Sequence, residues 1–289
     1  MRELFIKLSK MKRSTIFLIL IVGMLIPFFV TLKFPYTASP PTKAVFDYIE
    51  NLPEGSVILV SVDYGPSTLP ETEPMLEAIL KHAFIKNIRV IGIALTEEGT
   101  NLGLRAFENV AKEFKALYNI DIRYGADYVY LGFKSGSEAA ILGLGEDIRK
   151  VFPKDYSGRD IEDLPMMFNI KNYNDISLVI TISSTMLPQQ WIIYAQGRYG
   201  VPLAIGTTAV LATDWYPYLQ SGQIIGLIGG LKGAAEYENL VNWKFKMEGR
   251  SLFGMKAIRN MNAVTIAELL IILFILLGNI GYFLEKKGG

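Results

Sequence analysis

The sequence predicts a doubly wound α/β domain, Rossmann-like or flavodoxin-like, whose parallel five-stranded sheet is flanked by N- and C-terminal transmembrane helices. Three observations predict it. Short apolar, often β-branched runs recur along the middle of the chain, amphipathic helical segments alternate with them, and a long apolar run lies towards each end. Strands that are apolar on both faces are typical of parallel sheets covered by helices on both sides, and right-handed crossovers then give three layers.

The first long apolar run, Ser14–Leu32, contains 19 residues and no charge. At about 1.5 Å per residue it can cross a hydrocarbon core of about 30 Å. We therefore predict a basic cytoplasmic tail over residues 1–13 and a transmembrane helix over residues 14–33. A cleaved signal peptide is the alternative, but its apolar region is usually about 7–15 residues and ends at an A-x-A-like site. Tyr36 and Ala38 make a poor cleavage pair.

The middle of the chain divides into a proline-rich spacer over residues 34–43 and an α/β domain over residues 44–243. Apolar, β-branched composition predicts strands at Val57–Val62, Val90–Leu95, Tyr128–Phe133, Leu178–Ile182 and Val201–Ile205. Apolar residues at helical spacing predict helices at Ala44–Leu52, Glu73–Lys86, Leu102–Tyr118, Glu138–Val151, Pro188–Tyr199 and Gly222–Val241.

The end of the chain predicts a basic juxtamembrane segment over residues 244–261, a second transmembrane helix over 262–284 and a cytoplasmic tail over 285–289. Glu268 interrupts the apolar run near its start. At a helix end a carboxylate can reach the membrane interface, whereas at the bilayer centre it would cost about 2.5–3.5 kcal/mol. An interfacial glutamate is therefore favoured over an ion-pathway residue.

Basic residues predict the orientation of the two helices. Those that precede the first helix or follow the second are Lys7, Lys10, Lys12, Arg13, Lys286 and Lys287. Under the positive-inside rule both termini lie in the cytoplasm, so we expect a two-pass protein of the cell membrane with an extracytoplasmic central domain. Bases before the second helix oppose this and leave an inverted topology open: Lys244, Lys246, Arg250, Lys256 and Arg259.

The formal net charge of +1 is a cancellation between regions that differ in sign. Residues 1–33 carry +5, residues 34–243 carry −8, and residues 244–289 carry +4. A nucleic-acid binder needs a basic face on its folded domain, so nucleic acid is not an expected partner. The chain contains no cysteine, which excludes disulfides, cysteine–zinc sites and cysteine nucleophiles.

Candidate ligand-binding residues follow the predicted strands, because ligands of such sheets bind beyond the carboxyl ends of the strands. They are Asp63, Lys134, Ser135, Ser137, Ser183, Ser184, Thr185, Thr207 and Thr208. Hydroxyl groups and helix N-termini at these positions can bind a phosphate, a carboxylate or a sugar-like ligand. The alternative for each loop alone is helix capping, since Ser135–Glu138 and Thr68–Glu71 fit a capping box. Asp63 can equally be a turn-forming residue before Gly65 and its following proline.

The sequence lacks the motifs of several common activities. It has no G-x-x-x-x-G-K-[ST] loop and no G-x-G-x-x-G fingerprint after the first strand. The only histidine, His82, lies inside a predicted helix, which argues against a Ser–His–Asp triad and a histidine–zinc site. We therefore predict no metal site, with an all-carboxylate site and Asp63 as a metal ligand left as the alternative, and no cofactor can be named.

Two further features suggest partners. The polar insertion Lys154–Asp175 contains an apolar patch at 164–168, which can be a partner-docking element or plain surface. In the last predicted helix, Gly226, Gly230 and Gly233 belong to small-xxx-small pairs. Such pairs let helices approach closely, and they predict a buried packing face or self-association.

The main functional hypothesis from the sequence is a non-enzymatic, membrane-anchored extracytoplasmic binding or scaffold module. It would act with membrane partners and could bind a small polar or anionic ligand at the strand ends. One alternative is a membrane-bound hydrolase or transferase that acts on a phosphorylated or sugar-like substrate. Another is a structural subunit of a membrane complex that binds no ligand.

Overall fold

The computed structural model describes residues 7–8, 10–30, 32, 34, 36–247 and 254–286. Parts of the predicted tails, of the first span, of the spacer and of the juxtamembrane segment, including Lys33, Arg250 and Lys287, lie outside the described residues. The chain divides into two compact units, one over residues 36–257 and one formed by the residues before and after them.

The larger unit contains a parallel sheet of six strands among the described residues, in the order β3-β2-β1-β4-β5-β6. The strands are β1 Val57–Asp63, β2 Arg89–Ala94, β3 Tyr128–Phe133, β4 Leu178–Ser183, β5 Leu203–Thr207 and β6 Gly226–Gly229. This is the strand order of the Rossmann fold. The doubly wound prediction is thus confirmed at the level of a parallel α/β sheet, and the predicted number of five strands is wrong.

The sixth strand comes from the segment that we predicted to begin the last helix, Gly222–Val241. β6 pairs in parallel with β5, from Ala204 with Gly226 to Thr207 with Gly229. Gly226 lets a helix approach, because a Cβ atom there would lie 2.7 Å from the Pro41 carbonyl oxygen. The helix starts only at Gly230, whose φ of +61° turns the chain out of the strand.

The predicted glycine face on one helix is therefore wrong. Gly226 lies in β6 and packs on Pro41, whereas Gly230 lies beside Ala209 and Gly233 packs on Ile228. These glycines serve packing within the domain. Self-association of the chain stays a prediction, but this helix face no longer supports it.

Helices cover both faces of the sheet. The helical bounds are α1 Arg13–Phe29, α2 Pro40–Glu50, α3 Leu69–Ile85, α4 Glu97–Tyr118, α5 Ser137–Glu146, α6 Ile148–Val151, α7 Leu187–Gln190, α8 Gly197–Tyr199, α9 Ala212–Gln220, α10 Gly230–Met247 and α11 Lys256–Lys286. A π-helical segment, Trp191–Gln196, joins α7 to α8. Single 3-10 turns lie at Ile161–Asp163, Pro165–Met167 and Tyr173–Asp175.

The two faces of the sheet have different covers. Side chains of a strand alternate between its faces, so Leu59 and Ile205 point to one face, where they pack in one cluster with Trp191 and Trp215. We call this the tryptophan face. Helices α2, α3, α4 and α10 cover the opposite face, where the absence of a side chain at Gly206, for example, makes room for Met75 of α3 and Ile182.

The insertion after α6 covers the free edge of β3. The Tyr156 N–H donates to the Tyr130 carbonyl oxygen at 3.1 Å, and the Met166 N–H donates to that of Gly125 at 2.9 Å. Unpaired strand edges invite association with other chains, and a covering loop prevents it. Leu164, Met166 and Met167 of the predicted apolar patch are buried, while Phe168 is exposed. The patch is therefore mainly core rather than a docking element.

The only histidine ties three helices together under the other face. His82 Nδ1 lies 2.8 Å from the Tyr237 hydroxyl of α10, and His82 Nε2 lies 3.1 Å from Glu50 Oε2 of α2. The Phe46 ring stacks on the imidazole at 4.5 Å between centroids. Burial lowers the pKa of His82, and the hydrogen bond from His82 lowers the pKa of Glu50 to about 2.

The smaller unit contains the two apolar helices. Helix α11 has 31 residues and a stretch with a mean hydropathy of 2.4. It is the only helix in the described part of the chain that is long and apolar enough to cross a membrane, judged by length and composition alone. Helix α1 is apolar but has 17 residues, or about 26 Å at 1.5 Å per residue. A single candidate span is consistent with membrane association, and the predicted two-pass topology is not supported.

We expect the imidazole of His82 to make the folded chain sensitive to acid. Its pKa is lowered from 6.5 on folding, so protonation favours the unfolded chain, and the stability from neutral His82 is lost as the pH falls below about 6.5. The variant His82→Gln cannot be protonated. The measurement is urea denaturation in detergent, which gives the free energy of unfolding of the native protein and of the variant. The native value minus the variant value should fall as the pH decreases, by at most about 1.4 kcal/mol per pH unit. A difference that does not change between pH 8 and 5 would contradict this role of His82.

We expect Gly230→Ala to destabilise the domain more than Gly222→Ala. Both glycines have positive φ, at +61° and +75°, which costs an L-residue about 1–2 kcal/mol. Only at Gly230 would the new Cβ also meet a neighbour, 2.7 Å from Ala209 Cβ, whereas nothing lies within 4 Å at Gly222. Crowding should add about 1–3 kcal/mol in urea denaturation. Equal losses for the two variants would show that the contact between Gly230 and Ala209 is unimportant.

Candidate functional site

The site lies where the strand order of the sheet reverses, between β1 and β4, the usual ligand position in such folds. Asp63 at the end of β1 pairs with Ser183 of β4, and Ser183 pairs with Thr207 of β5. These three predicted site residues therefore form one row across adjacent strands. We call it the carboxyl-edge row, and all three of its side chains are buried.

Hydrogen bonds link the members of the row. The Ser183 hydroxyl donates to the Asp63 carbonyl oxygen at 3.3 Å, and the Thr207 hydroxyl donates to that of Ser183 at 2.9 Å. The Ser184 N–H also donates to the Asp63 carbonyl oxygen, at 3.3 Å. Thr185 donates its N–H to Ser183 Oγ at 3.1 Å. The structure thus brings these five predicted residues together, with Ser184 half-buried and Thr185 exposed at the rim.

The carboxyl group of Asp63 is the most strongly perturbed group of the row. Its Oδ2 accepts the Ser61 hydroxyl at 2.5 Å, its Oδ1 accepts the Leu95 N–H at 2.7 Å, and it also accepts the N–H of Thr96. Complete burial nevertheless raises the pKa of Asp63 to about 7, outweighing the hydrogen bonds that lower it. A carboxyl group with a pKa near neutrality can both accept and donate a proton at physiological pH.

Sequence reasoning missed the supporting residues Ser61 and Thr96. Ser61 lies two residues before Asp63, so both side chains point to the same face of the sheet. That spacing was a usable signal. The Thr96 hydroxyl accepts the Gly99 N–H at 3.3 Å and caps α4. This contact was not visible until the start of α4 was known.

Acidic side chains flank the row. The Glu71 carboxylate accepts the Ala209 N–H at 3.0 Å, next to Thr208, which is also buried. The Glu98 carboxylate occupies the space beside Gly65, where a Cβ atom would clash with it. The partners of the Asp63 carboxyl group itself are uncharged, a hydroxyl group and backbone N–H groups.

Lys134 lies apart from the row. It follows β3, which is two strands away from β1 and so about 10 Å from it. It lines a cavity of about 390 Å³ together with Thr100, Asp155 and Tyr156. In the part of the chain that the structure describes, no hydrogen bond or ion pair involves the Lys134 ammonium group. This cation is thus available to an anionic group.

The remaining predicted residues are Ser135 and Ser137, which lie beside Lys134 with Ser135 exposed and Ser137 half-buried. The N-cap of α5 is Gly136, at a φ of +73° and without a side-chain cap. The predicted capping box from Ser135 to Glu138 does not form. Thr68 likewise makes no cap bond to α3, so helix capping does not account for these two loops.

Among the described residues, no group of three or more histidine, aspartate or glutamate side chains could hold a metal ion. Comparison with protein-family models and with curated proteins finds no match. Among solved structures, the chain is similar to trehalose-6-phosphate synthase OtsA, with 11% identity and a TM-score of 0.33 over 86% of this chain and 46% of that one. The chain therefore spans less than half the length of that protein.

The main functional hypothesis from the sequence, a non-enzymatic binding or scaffold module, is corrected here. One solved structure to which the chain is similar is a synthase by name. At this TM-score and identity the likeness assigns no activity, so the proposal below is argued from the site alone. The sequence hypothesis rested on the absence of known catalytic sequence motifs. A buried carboxyl group with a near-neutral pKa has no sequence motif, so that absence does not exclude catalysis.

We expect Asp63 to lower the stability of the folded chain as the pH rises. The pKa is raised from 3.8 to about 7 on folding, so the folded state holds its proton more tightly, and this contribution is lost as the pH rises from about 4 to 7. Asp63→Asn removes the ionisation. The free energy of unfolding of the native protein minus that of the variant should therefore fall across this window in urea denaturation. Asp214→Asn, an exposed acid on α9, is the control, and equal profiles for both variants would rule out the proposed burial effect.

Proposed function

We propose that the chain is a membrane-associated hydrolase or transferase that acts on a phosphorylated or sugar-like substrate at the carboxyl edge of its sheet. The observation that carries the proposal is Asp63, a fully buried carboxyl group at the reversal of the strand order, with a pKa near 7 and a row of hydroxyl groups beside it. Perturbed carboxyl groups in such positions are characteristic of general acids and bases.

Asp63 is the proposed proton donor and acceptor. Its two oxygen atoms are held by the Ser61 hydroxyl and by the N–H groups of Leu95 and Thr96, so the carboxyl group is fixed in orientation. Because Asp63 is closed to solvent, substrate reaches it only when the covering loops open. We propose the segment after β4, with the exposed residues Thr185 and Met186, as one such loop, and a closed site would exclude water from the transfer step.

Lys134 is the proposed anchor for an anionic group. It lines a cavity and has no partner among the described residues, and charge-assisted bonds to phosphate are among the strongest in proteins. The separation of about 10 Å between β1 and β3 favours a substrate whose anionic group is remote from the reacting bond. A sugar phosphate or a nucleotide sugar has these features.

We propose that the chain associates with a membrane through α11. The extracytoplasmic position of the domain is part of the same proposal. The domain carries a formal charge of −8 over residues 34–243, which does not favour attraction to anionic lipid. We therefore expect attachment through the apolar helix rather than through the surface of the domain.

The test is turnover by the full chain in detergent, with sugar phosphates and nucleotide sugars as probes and mass spectrometry of the products. We expect Asp63→Asn to abolish turnover. Lys134→Met should raise KM about tenfold or more for an anionic probe, since a charged hydrogen bond contributes about 1.5–3 kcal/mol, with a smaller change in kcat.

The matched control for Lys134 is Lys112→Met. Lys112 is exposed and, among the residues that the structure describes, pairs only with Glu108 of its own helix, at 3.3 Å, so this variant makes the same change of net charge away from the site. Equal KM values for Lys112→Met and Lys134→Met would remove Lys134 from the site. The absence of turnover and of binding for every probe would reject the proposed function.

A further inference from the structure

Several buried polar side-chain atoms of the domain have no hydrogen-bond partner. Among the described residues they include Thr181 Oγ1, Gln190 Oε1, Trp191 Nε1 and Trp215 Nε1. Thr181 and both tryptophans are fully buried. Buried polar atoms are nearly always paired in folded proteins, and an unpaired one costs free energy. The structure shows no protein partner for these four atoms, which we call the unpaired set, among the residues it describes.

Thr181, Trp191 and Trp215 of the unpaired set lie on the same face of the sheet as the side chains of the row. Thr181 precedes Ser183 by two residues on β4, so both side chains point to the tryptophan face. Thr181 pairs with Ser61 on β1 and with Ile205 on β5. Ile205 belongs to the same packed cluster as Trp191 and Trp215. The three unpaired donors thus lie in the layer between the sheet and the helices on the tryptophan face.

The two tryptophans belong to unusual elements. Trp191 begins the π-helical segment Trp191–Gln196, and π-helical turns occur frequently at functional sites. Trp215 is the only fully buried side chain of α9. The loop before α9 is exposed, with Val210 at 84% of its full accessible surface. Helix α9 also packs on the core through the partly buried Ala212, Tyr218 and Leu219, and the N–H of its one fully buried side chain has no partner among the described residues.

We infer that α9 is a lid over a sugar-binding subsite, in which the indole N–H groups of Trp191 and Trp215 and the hydroxyl of Thr181 bind hydroxyl oxygens of the substrate. The inference rests on the proposed function and names the part of the substrate that is bound next to Asp63. When α9 opens, Trp215 leaves the core and the subsite becomes accessible. When it closes, the sugar replaces solvent as the partner of the unpaired set.

The chemistry of the set identifies the ligand class. An indole N–H is a donor only, a threonine hydroxyl donates and accepts, and the Gln190 side-chain oxygen accepts. No member of the set carries a charge, so it suits a neutral polyhydroxylated compound better than a phosphate. Aromatic walls with a few fixed polar groups are typical of small-molecule sites. The anionic part of a substrate would bind separately, at Lys134.

Tryptophan fluorescence of the full chain tests the inference, because the chain has three tryptophans and the third, Trp243, is exposed. In Trp243→Phe the emission comes from Trp191 and Trp215 alone. Glucose and maltose are the neutral probes, and glucose 6-phosphate is the anionic one. We expect a saturable change of emission with a neutral sugar in Trp243→Phe, and binding of that sugar by calorimetry with unchanged affinity relative to the native protein.

Two variants remove single members of the set, Thr181→Val with little change of shape and Trp215→Phe with the loss of one ring from the core. Thr181→Val removes the hydroxyl, and Trp215→Phe removes the N–H while keeping an aromatic ring. Each should weaken sugar binding about tenfold, the effect of one hydrogen bond. Circular dichroism and thermal unfolding establish that each variant is folded. If Trp215→Phe does not fold, Thr181→Val alone decides the test.

The outcomes separate this inference from the proposed function. Unchanged sugar affinity in folded Thr181→Val, or no response of Trp243→Phe to any neutral sugar, overturns the subsite. Glucose 6-phosphate binding that depends on Lys134 but not on Thr181 rejects the subsite and leaves the proposed function standing. Sugar binding that depends on Thr181 in a protein without turnover supports the subsite and rejects the enzyme. A crystal structure from a maltose soak in which ordered water, rather than sugar, is bonded to the unpaired set also overturns the subsite.

Discussion

The buried carboxyl group of Asp63 is the interaction on which the carboxyl edge of the sheet depends. It receives hydrogen bonds from Ser61 on its own strand and from Leu95 and Thr96 at the start of the next connection, so it joins β1 to the beginning of α4. Thr96 in turn caps that helix. Burying a charge is costly, and the group meets this cost by holding its proton up to a pH of about 7. The same burial therefore fixes the loop geometry and gives the group its acid–base character.

Much of the fold could be predicted because its strands are apolar on both faces. Runs such as Val57–Val62 have a composition that few other structures share, and the structure contains strands close to each predicted position. The sixth strand escaped prediction because Gly226–Gly229 offers only two side chains that carry a strand signal. Its conformation is decided by β5 and by the approach of α2 to Gly226, which are tertiary contacts. The same glycines, interpreted by spacing alone, suggested a helix face.

The sequence predicts which residues of the candidate site follow strand ends. It does not predict which of those residues lie next to one another. Asp63, Ser183 and Thr207 could be named because each ends a strand, and the parallel sheet brings them together. Lys134 satisfies the same rule yet lies about 10 Å away, because the strand order places β3 at the edge and no local pattern encodes that order. The sequence did not predict a role for the unpaired tryptophans, for a different reason. A tryptophan in an apolar stretch predicts core, and only the combination of full burial with a missing partner distinguishes Trp191 and Trp215 from ordinary core residues.

The distribution of charge and polarity at the edge restricts the kind of substrate that fits. Glu71 accepts the Ala209 N–H and Glu98 lies against Gly65, while the Asp63 carboxyl group itself has only uncharged hydrogen-bond partners. Lys134 offers its ammonium group two strands away, beside a cavity large enough for a small anionic group. A ligand that satisfies both regions must be neutral and hydroxylated where it meets Asp63 and anionic at its other end. The protein thus separates recognition of charge from the acid–base step, which keeps the Asp63 proton from being displaced by a nearby cation.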